Sequence, residues 1–239
     1  MSKKKQRNTK QEDHNVGYTQ DKIKFTIHDL NSVQAQTEAQ IQAFKSYFSG
    51  GNLLLKGSAG TGKTFISLYL ALNDLLRDGS EYDNIIISRS IVPTRDIGFL
   101  PGTLEDKIAE YETPYVSICD ELFEFRNSYN NLKKLGKIKF IPTSFIRGLT
   151  FDNSIVIIDE AQNQTIDEIS SVITRAGYNT KLIISGDSKQ NDLTKNRYDV
   201  SGFSDLVRII GRMDEFDIIN FTIDDIVRSD LVKSFLIAK

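Results

Sequence analysis

At 239 residues the chain is long enough for one sizeable α/β domain and a tail. Its 30 lysines and arginines stand against 32 acids, a net charge of −2 that excludes a basic glove for nucleic acid over the whole surface. Any polyanion contact must come from local patches. Cys119 is the single cysteine and His14 and His28 are the two histidines, so an internal disulfide is excluded and zinc is not expected. No apolar run approaches the roughly 20 residues of a membrane span and no signal peptide is visible. A chain of this kind, with no membrane partner, is expected in a reducing cytoplasm.

Residues 1–24 carry Lys3, Lys4, Lys5, Arg7 and Lys10 among polar residues, with hardly an apolar side chain before Val16. Such a stretch cannot bury enough surface to offset its chain entropy and reads as a flexible basic tail. Residues 25–239 read as one domain. Thr37-Glu38-Ala39-Gln40 fits a capping box, with Thr37 capping a helix and Gln40 reaching back. Asn52–Lys56 is a short apolar run suited to a buried strand. Gly57-Ser58-Ala59-Gly60-Thr61-Gly62-Lys63-Thr64 then matches G-x-x-x-x-G-K-[ST] in full. In such a loop the glycines let successive backbone N–H groups face phosphate oxygens, the lysine reaches the terminal phosphates, and the threonine hydroxyl serves Mg²⁺. Phe65, Leu68, Tyr69, Leu72, Leu75 and Leu76 follow at helical spacing, which supplies the positive end of a helix dipole.

Further strands are predicted at Ile85–Ser88, Ile138–Ile141, Ile155–Ile158, Leu182–Ser185 and Ile218–Phe221. Alternation with helical segments implies a mostly parallel sheet with its ligand at the carboxyl ends of the strands. Gly98–Gly102 reads as a structured turn in the connection after the second strand. Ile118, Cys119, Leu122, Tyr129, Leu132 and Leu135 fit one amphipathic helical face, whose basic end offers an accessory nucleic-acid surface. The strand Ile155–Ile158 delivers Asp159 and Glu160. The first acid suits the Mg²⁺ shell and the second can polarise water, and adjacent residues on a strand point opposite ways, which divides the two roles. Gly186-Asp187-Ser188-Lys189-Gln190 follows the next strand, and Gln190 is placed to feel the γ-phosphate. Arg89, Arg147, Arg175 and Arg228 are candidate phosphate or finger arginines.

The order Asp159-Glu-Ala-Gln162, Gly186-Asp-x-x-Gln190, Asp225-Ile-Val-Arg228 resembles superfamily 1 helicase cores. More closely, the chain resembles the PhoH-like family of ATPases. The fragments that carry the resemblance are the phosphate loop, Gly98-Phe-Leu-Pro-Gly102, Ile146-Arg-Gly148, Ile158–Asn163, Thr174-Arg-Ala-Gly177, Ser185–Gln190 and Ser201-Gly202. They run in family order from about residue 33 to the end. Two positions depart: Ser90 stands where the family has proline, and Arg95-Asp96 stand near the place of a glutamate before the glycine-rich turn. The resemblance implies a RecA-like P-loop NTPase that hydrolyses ATP with Mg²⁺. It also implies RNA or single-stranded DNA as partner and a homo-oligomer such as a hexameric ring, and the compact form is similar to phage-borne members, which means a host cytoplasm if the chain is phage-encoded. It makes Gln40 an adenine reader, in competition with its capping role, and Arg228 the assisting arginine. The absence of an Asn-Lys-x-Asp element agrees with adenine.

Three functions compete: a helicase-like, nucleic-acid-stimulated ATPase, an ATP-gated binding or scaffold protein with slow turnover, and a small-molecule phosphotransferase. No arginine-rich lid is evident, and the Gly-Asp-x-x-Gln element favours water as the acceptor.

Overall fold

The computed structural model describes residues 24–91, 104–124, 126–187 and 201–238. The basic tail through residue 23, the Gly98–Gly102 turn and Gln190 lie outside the described residues.

Among the described residues six strands form one sheet: β1 (Asn52–Gly57), β2 (Asn84–Arg89), β3 (Ile138–Pro142), β4 (Ser154–Ile158), β5 (Thr180–Gly186) and β6 (Phe216–Phe221). They lie in the order β3-β2-β4-β5-β1-β6, and every pairing is parallel. The strands read as continuous apolar runs because both faces are covered. Ile85 and Ile87 of β2 and Ile155 and Ile157 of β4 enter one core, while Ile86, Val156 and Ile158 enter the other.

Helices α1 (Glu38–Phe48), α2 (Lys63–Leu76), α3 (Leu104–Leu122) and α4 (Ser128–Lys134) cover the first face. Helices α5 (Ile166–Ile173) and α6 (Phe203–Ile210) cover the second, and α7 (Asp230–Ala238) ends the chain. This is an α/β, RecA-like P-loop architecture: a parallel sheet flanked by helices. Its strand order matters for the site. β5 lies between the phosphate-loop strand β1 and the acid strand β4. The carboxyl end of β5 therefore fills the space between loop and acids.

The single helical face predicted from Ile118 to Leu135 is instead divided between two helices. α3 stops at Leu122, and Asn127 takes a left-handed turn before α4. Phe123 leaves the helix to bridge Leu30, with its ring edge-on to Phe25 at 5.2 Å. A tertiary apolar contact outweighs the helical period here. Leu135 lies past the end of α4 and is exposed, and Lys139 and Phe140 belong to β3. Burial pushes the Cys119 thiol up to about 12, so it behaves as a small core hydrophobe.

α3 also contains Pro114. A proline inside a helix removes one hydrogen bond and clashes with the preceding turn, at about 3 kcal/mol. At the amino-terminal end of the sheet, Lys181 donates to the Tyr47 carbonyl at 2.8 Å, lies 3.7 Å from the Tyr47 ring centroid, and pairs with Asp74 at 3.7 Å. Asp74 also takes Arg77 at 2.7 Å and the Tyr47 hydroxyl at 3.1 Å.

Candidate nucleotide site

The carboxyl ends of the strands open into a cleft of about 1040 Å³. Its lining includes Gly60, Lys63, Thr64, Asp159, Glu160 and Arg228. The loop from Gly57 to Gly62 reaches α2 through a left-handed Gly62 at φ 82°. That conformation is cheap for glycine alone. Gly57 is forced for another reason, because a Cβ there would collide with the carbonyl oxygen of Phe221 on β6. Thr61 ties the loop by donating to the Ser58 carbonyl at 2.9 Å. The start of α2, from Gly62 to Ile66, lines the cleft, and the unbonded N–H groups of a helix start make a ready anion cradle.

Lys63 donates to the carbonyls of Gly57 and Ser58, each at 2.8 Å. Burial lowers its pKa, while Asp187, Glu160 and Asp159 act in the opposite sense. Its ammonium is held by neutral carbonyls, partners that an anionic ligand can displace.

Asp159 lies just beyond β4 and is 3 % exposed. Thr64 Oγ1 is 3.1 and 3.2 Å from its two carboxylate oxygens. Ser185, at the end of β5, donates to Oδ1 at 2.5 Å, and Tyr115 of α3 donates to Oδ2 at 2.9 Å. Among the described residues there is no cluster of three His, Cys, Asp or Glu that could hold a metal by itself. One carboxylate beside one hydroxyl, in front of a phosphate cradle, fits Mg²⁺ shared with phosphate oxygens and water, and fits a protein-only cage poorly.

The expectation that a continuing strand would turn the two acids apart does not hold. β4 ends at Ile158, and Glu160 adopts φ 51°, a left-handed conformation rare for a non-glycine residue. That turn leaves both carboxylates lining the same cleft. Burial and the adjacent Asp159 raise the Glu160 pKa, opposed by Arg89, by a hydrogen bond from Gln162 and by Lys63. Gln162 bridges the strand ends, donating to Glu160 and accepting from the backbone N–H of Asp187 at 2.9 Å. Gln164, fully buried, donates to the Asp159 carbonyl at 3.1 Å.

Gln40 lines the cleft, and its local bond differs from the expected one. Thr37 does cap α1, accepting from the Gln40 backbone N–H at 3.4 Å, but the Gln40 side-chain oxygen accepts from Gln36, at 2.7 Å. The amide nitrogen lies on the Gly62 side. One end of the side chain is thus used locally while the other faces the loop.

In the sequence Asp225 stands only as the first residue of the Asp-Ile-Val-Arg motif. It accepts from the Thr222 backbone N–H at 2.7 Å and hydroxyl at 3.1 Å, and from Thr37 and the Ala39 N–H. Burial opposes its ionisation, yet these donors together hold its pKa below the usual carboxylate range. One carboxylate therefore pins the start of α1 to the segment carrying Arg228.

The arginines separate clearly. Arg228 is exposed and lines the cleft. Arg89, at the end of β2, also lines it, 5.6 Å from the Tyr111 ring centroid. Burial works against its charge, but Tyr115, Asp159 and Glu160 outweigh burial and raise its pKa. Arg175 lies beyond α5, its carbonyl bonded to the N–H of Phe151 near the amino end of β4. Arg147 is exposed in the connection from β3 to β4. Neither lines its own cleft. Tyr115 and Ser185 went unassigned in sequence. Ser185 stood in a motif without a role, and Tyr115 carries no local signal because its meaning lies in a contact 44 residues away in sequence.

A phosphate loop at the head of a RecA-like sheet, facing an acid pair across the next strands, defines a P-loop NTPase. The PhoH-like protein family model matches residues 32–238. The chain belongs to the PhoH-like family. It is 34% identical over 210 residues to Protein PhoH of Escherichia coli strain K12, covering 87% of this chain and 58% of that one. It is 35% identical over 204 residues to a PhoH-like protein of Synechocystis, covering 84% and 60%. The chain thus spans under two thirds of the length of these relatives. Similar solved structures include Bacteroides Pif1 bound to single-stranded DNA, 19% identical, covering 80% of this chain and 42% of that one at a TM-score of 0.36. Another is the DUF1998 helicase MrfA bound to DNA, 11% identical, covering 77% and 27% at 0.45.

Proposed function

We propose that the chain is a Mg²⁺-dependent ATPase whose hydrolysis is coupled to binding or remodelling RNA or single-stranded DNA. The observation that carries this reading is the meeting of Lys63, Thr64, Asp159 and Glu160 in one cleft, with Thr64 Oγ1 3.1 Å from the Asp159 carboxylate. In this reading Lys63 leaves the Gly57 and Ser58 carbonyls for the β- and γ-phosphates, and the backbone of residues 58–64 cradles them. Thr64 and Asp159 hold Mg²⁺, which when bound neutralises developing phosphate charge. Glu160, its pKa raised by burial and by the adjacent Asp159, accepts a proton from the attacking water. Gln190 orients that water, and Gln40 reads adenine with its amide. Arg228 supplies a further positive charge from its own chain, with Lys63 as the fixed cation.

The partner class rests on the superfamily 1 order of motifs, with residues 25–239 as the ATPase unit. Self-association, such as a hexameric ring, is part of the same proposal, supported by the absence of Arg175 and Arg147 from the lining of their own cleft. In this reading Arg175 or Arg147 meets the γ-phosphate in a neighbour's cleft. Mixing Lys63→Ala protein with Arg175→Ala protein then restores part of the activity at mixed interfaces, whereas full, concentration-independent activity of a monomer overturns this part.

The test of the main reading is ATP turnover by the full chain with and without single-stranded RNA and DNA. Stimulation by either supports it. Turnover that neither polymer changes, together with binding that differs between ATP and ADP, favours an ATP-gated scaffold instead.

A further inference from the structure

We infer that Tyr115 is a positioning residue for the metal-holding carboxylate, tying α3 to the nucleotide site; this rests on the assignment of Asp159 to Mg²⁺. The ring is 1 % exposed and packs 5.9 Å from Phe140, yet the hydroxyl does not point into that apolar core. It donates to Asp159 Oδ2 at 2.9 Å. On its other side it meets the Arg89 guanidinium. A phenol buried beside a carboxylate and a guanidinium has its one proton committed to the carboxylate, since the guanidinium can only donate.

The arrangement divides the donors on Asp159 into two kinds. Ser185 from β5 holds Oδ1 and Tyr115 from α3 holds Oδ2, so the plane of the carboxylate is fixed from both sides. Thr64 spans both oxygens and is the donor placed to turn toward a metal. A carboxylate fixed in this way meets Mg²⁺ without first losing rotational freedom, the role that partners of a metal ligand play elsewhere. Pro114 immediately precedes Tyr115 and itself lines the cleft. The helix accepts an interior proline at the point where it delivers the hydroxyl.

The test is the Mg²⁺ dependence of binding a fluorescent, non-hydrolysable ATP analogue to the full chain. Tyr115→Phe keeps the ring and its packing but removes the donor. The expected result is a rise of about tenfold or more in the Mg²⁺ concentration at half-saturation, with metal-free nucleotide affinity unchanged and a cooperative thermal transition retained. Ser185→Ala is expected to move the same quantity in the same direction. A wild-type chain with clear Mg²⁺ dependence and a Tyr115→Phe chain with the same dependence overturns the inference alone. A wild-type chain that binds the analogue with no Mg²⁺ dependence overturns the metal assignment of Asp159, and the inference with it. Because the readout is binding, a chain that fails to hydrolyse ATP leaves this comparison intact.

Discussion

The two ends of the sheet both bury charge, and they do it differently. At the amino-terminal end, Lys181 is enclosed by the Tyr47 carbonyl, the Tyr47 ring and Asp74, and Asp74 is shared with Arg77 and the Tyr47 hydroxyl. Every strong partner is a fixed part of the protein. At the carboxyl end, Lys63 rests on two backbone carbonyls while Asp159 and Glu160 face a cleft of about 1040 Å³. Burial lowers the pKa of both lysines. A lowered lysine pKa therefore does not distinguish a functional site from a structural one. What distinguishes them is whether the compensating charges are already in contact or look across open space toward a ligand.

The sharpest break in this comparison is a pair of lysine variants. Lys63→Ala should reduce ATP hydrolysis by a factor of about 10³ or more with its melting temperature nearly unchanged, since the side chain meets ligand and not core. Lys181→Met should keep turnover but lose about 3 kcal/mol of stability, because Asp74 stays buried with one fewer partner. Urea unfolding and phosphate-release assays on both variants check the two halves. Loss of activity without loss of stability in Lys181→Met would merge the two ends into one class.

The acids sharpen the comparison further. Glu160→Gln should slow hydrolysis by about 10²–10⁴ while Mg²⁺-dependent nucleotide binding persists. Asp159→Asn should weaken the metal-dependent part of binding. Equal binding defects in the two variants would show the acids to be interchangeable. Glu160 must be ionised to accept a proton, and its folded pKa is raised. The acidic limb of the turnover profile should therefore lie above the ordinary glutamate value of about 4.3, with activity lost as pH falls through the raised value. A limb at or below that value would contradict the assignment of Glu160 as base.

These outcomes bear on how much could be read from the chain itself. All six strands and the phosphate loop were legible, because buried parallel strands and G-x-x-x-x-G-K-[ST] are local patterns. The order of the strands was not, and it is the order that places Ser185 between loop and acids. The left-handed turn at Glu160 was equally hidden, since nothing in the residue type announces φ 51°. Tyr115, Arg89 and Asp225 gain their meaning from contacts across the fold. The break at Asn127 defeated a helical period because Phe123 is drawn to Phe25 and Leu30, and no window along the sequence contains that contact.

The smallest expected effect concerns Asp225, which belongs to neither end's charge cluster. Asp225→Asn should cost about 1 kcal/mol at neutral pH through the weakened cap at Thr222 and at α1. The folded pKa of Asp225 is depressed, so its contribution is present above the unfolded value of about 3.9 and fades as pH falls through the folded value. The difference between wild type and variant should accordingly shrink below about pH 4. Denaturant melts at pH 7 and pH 3 measure it, and a constant difference would remove ionisation from the explanation.

The central claim is that the cleft at the carboxyl ends binds the terminal phosphates of Mg²⁺–ATP. Titration calorimetry of the full chain with the non-hydrolysable analogue, in Mg²⁺ and in EDTA, addresses it most directly. The account predicts one nucleotide per chain, tighter in Mg²⁺, with binding lost in Lys63→Ala and retained in Lys181→Met. Nucleotide binding that survives Lys63→Ala unchanged would place the ligand elsewhere and contradict the account.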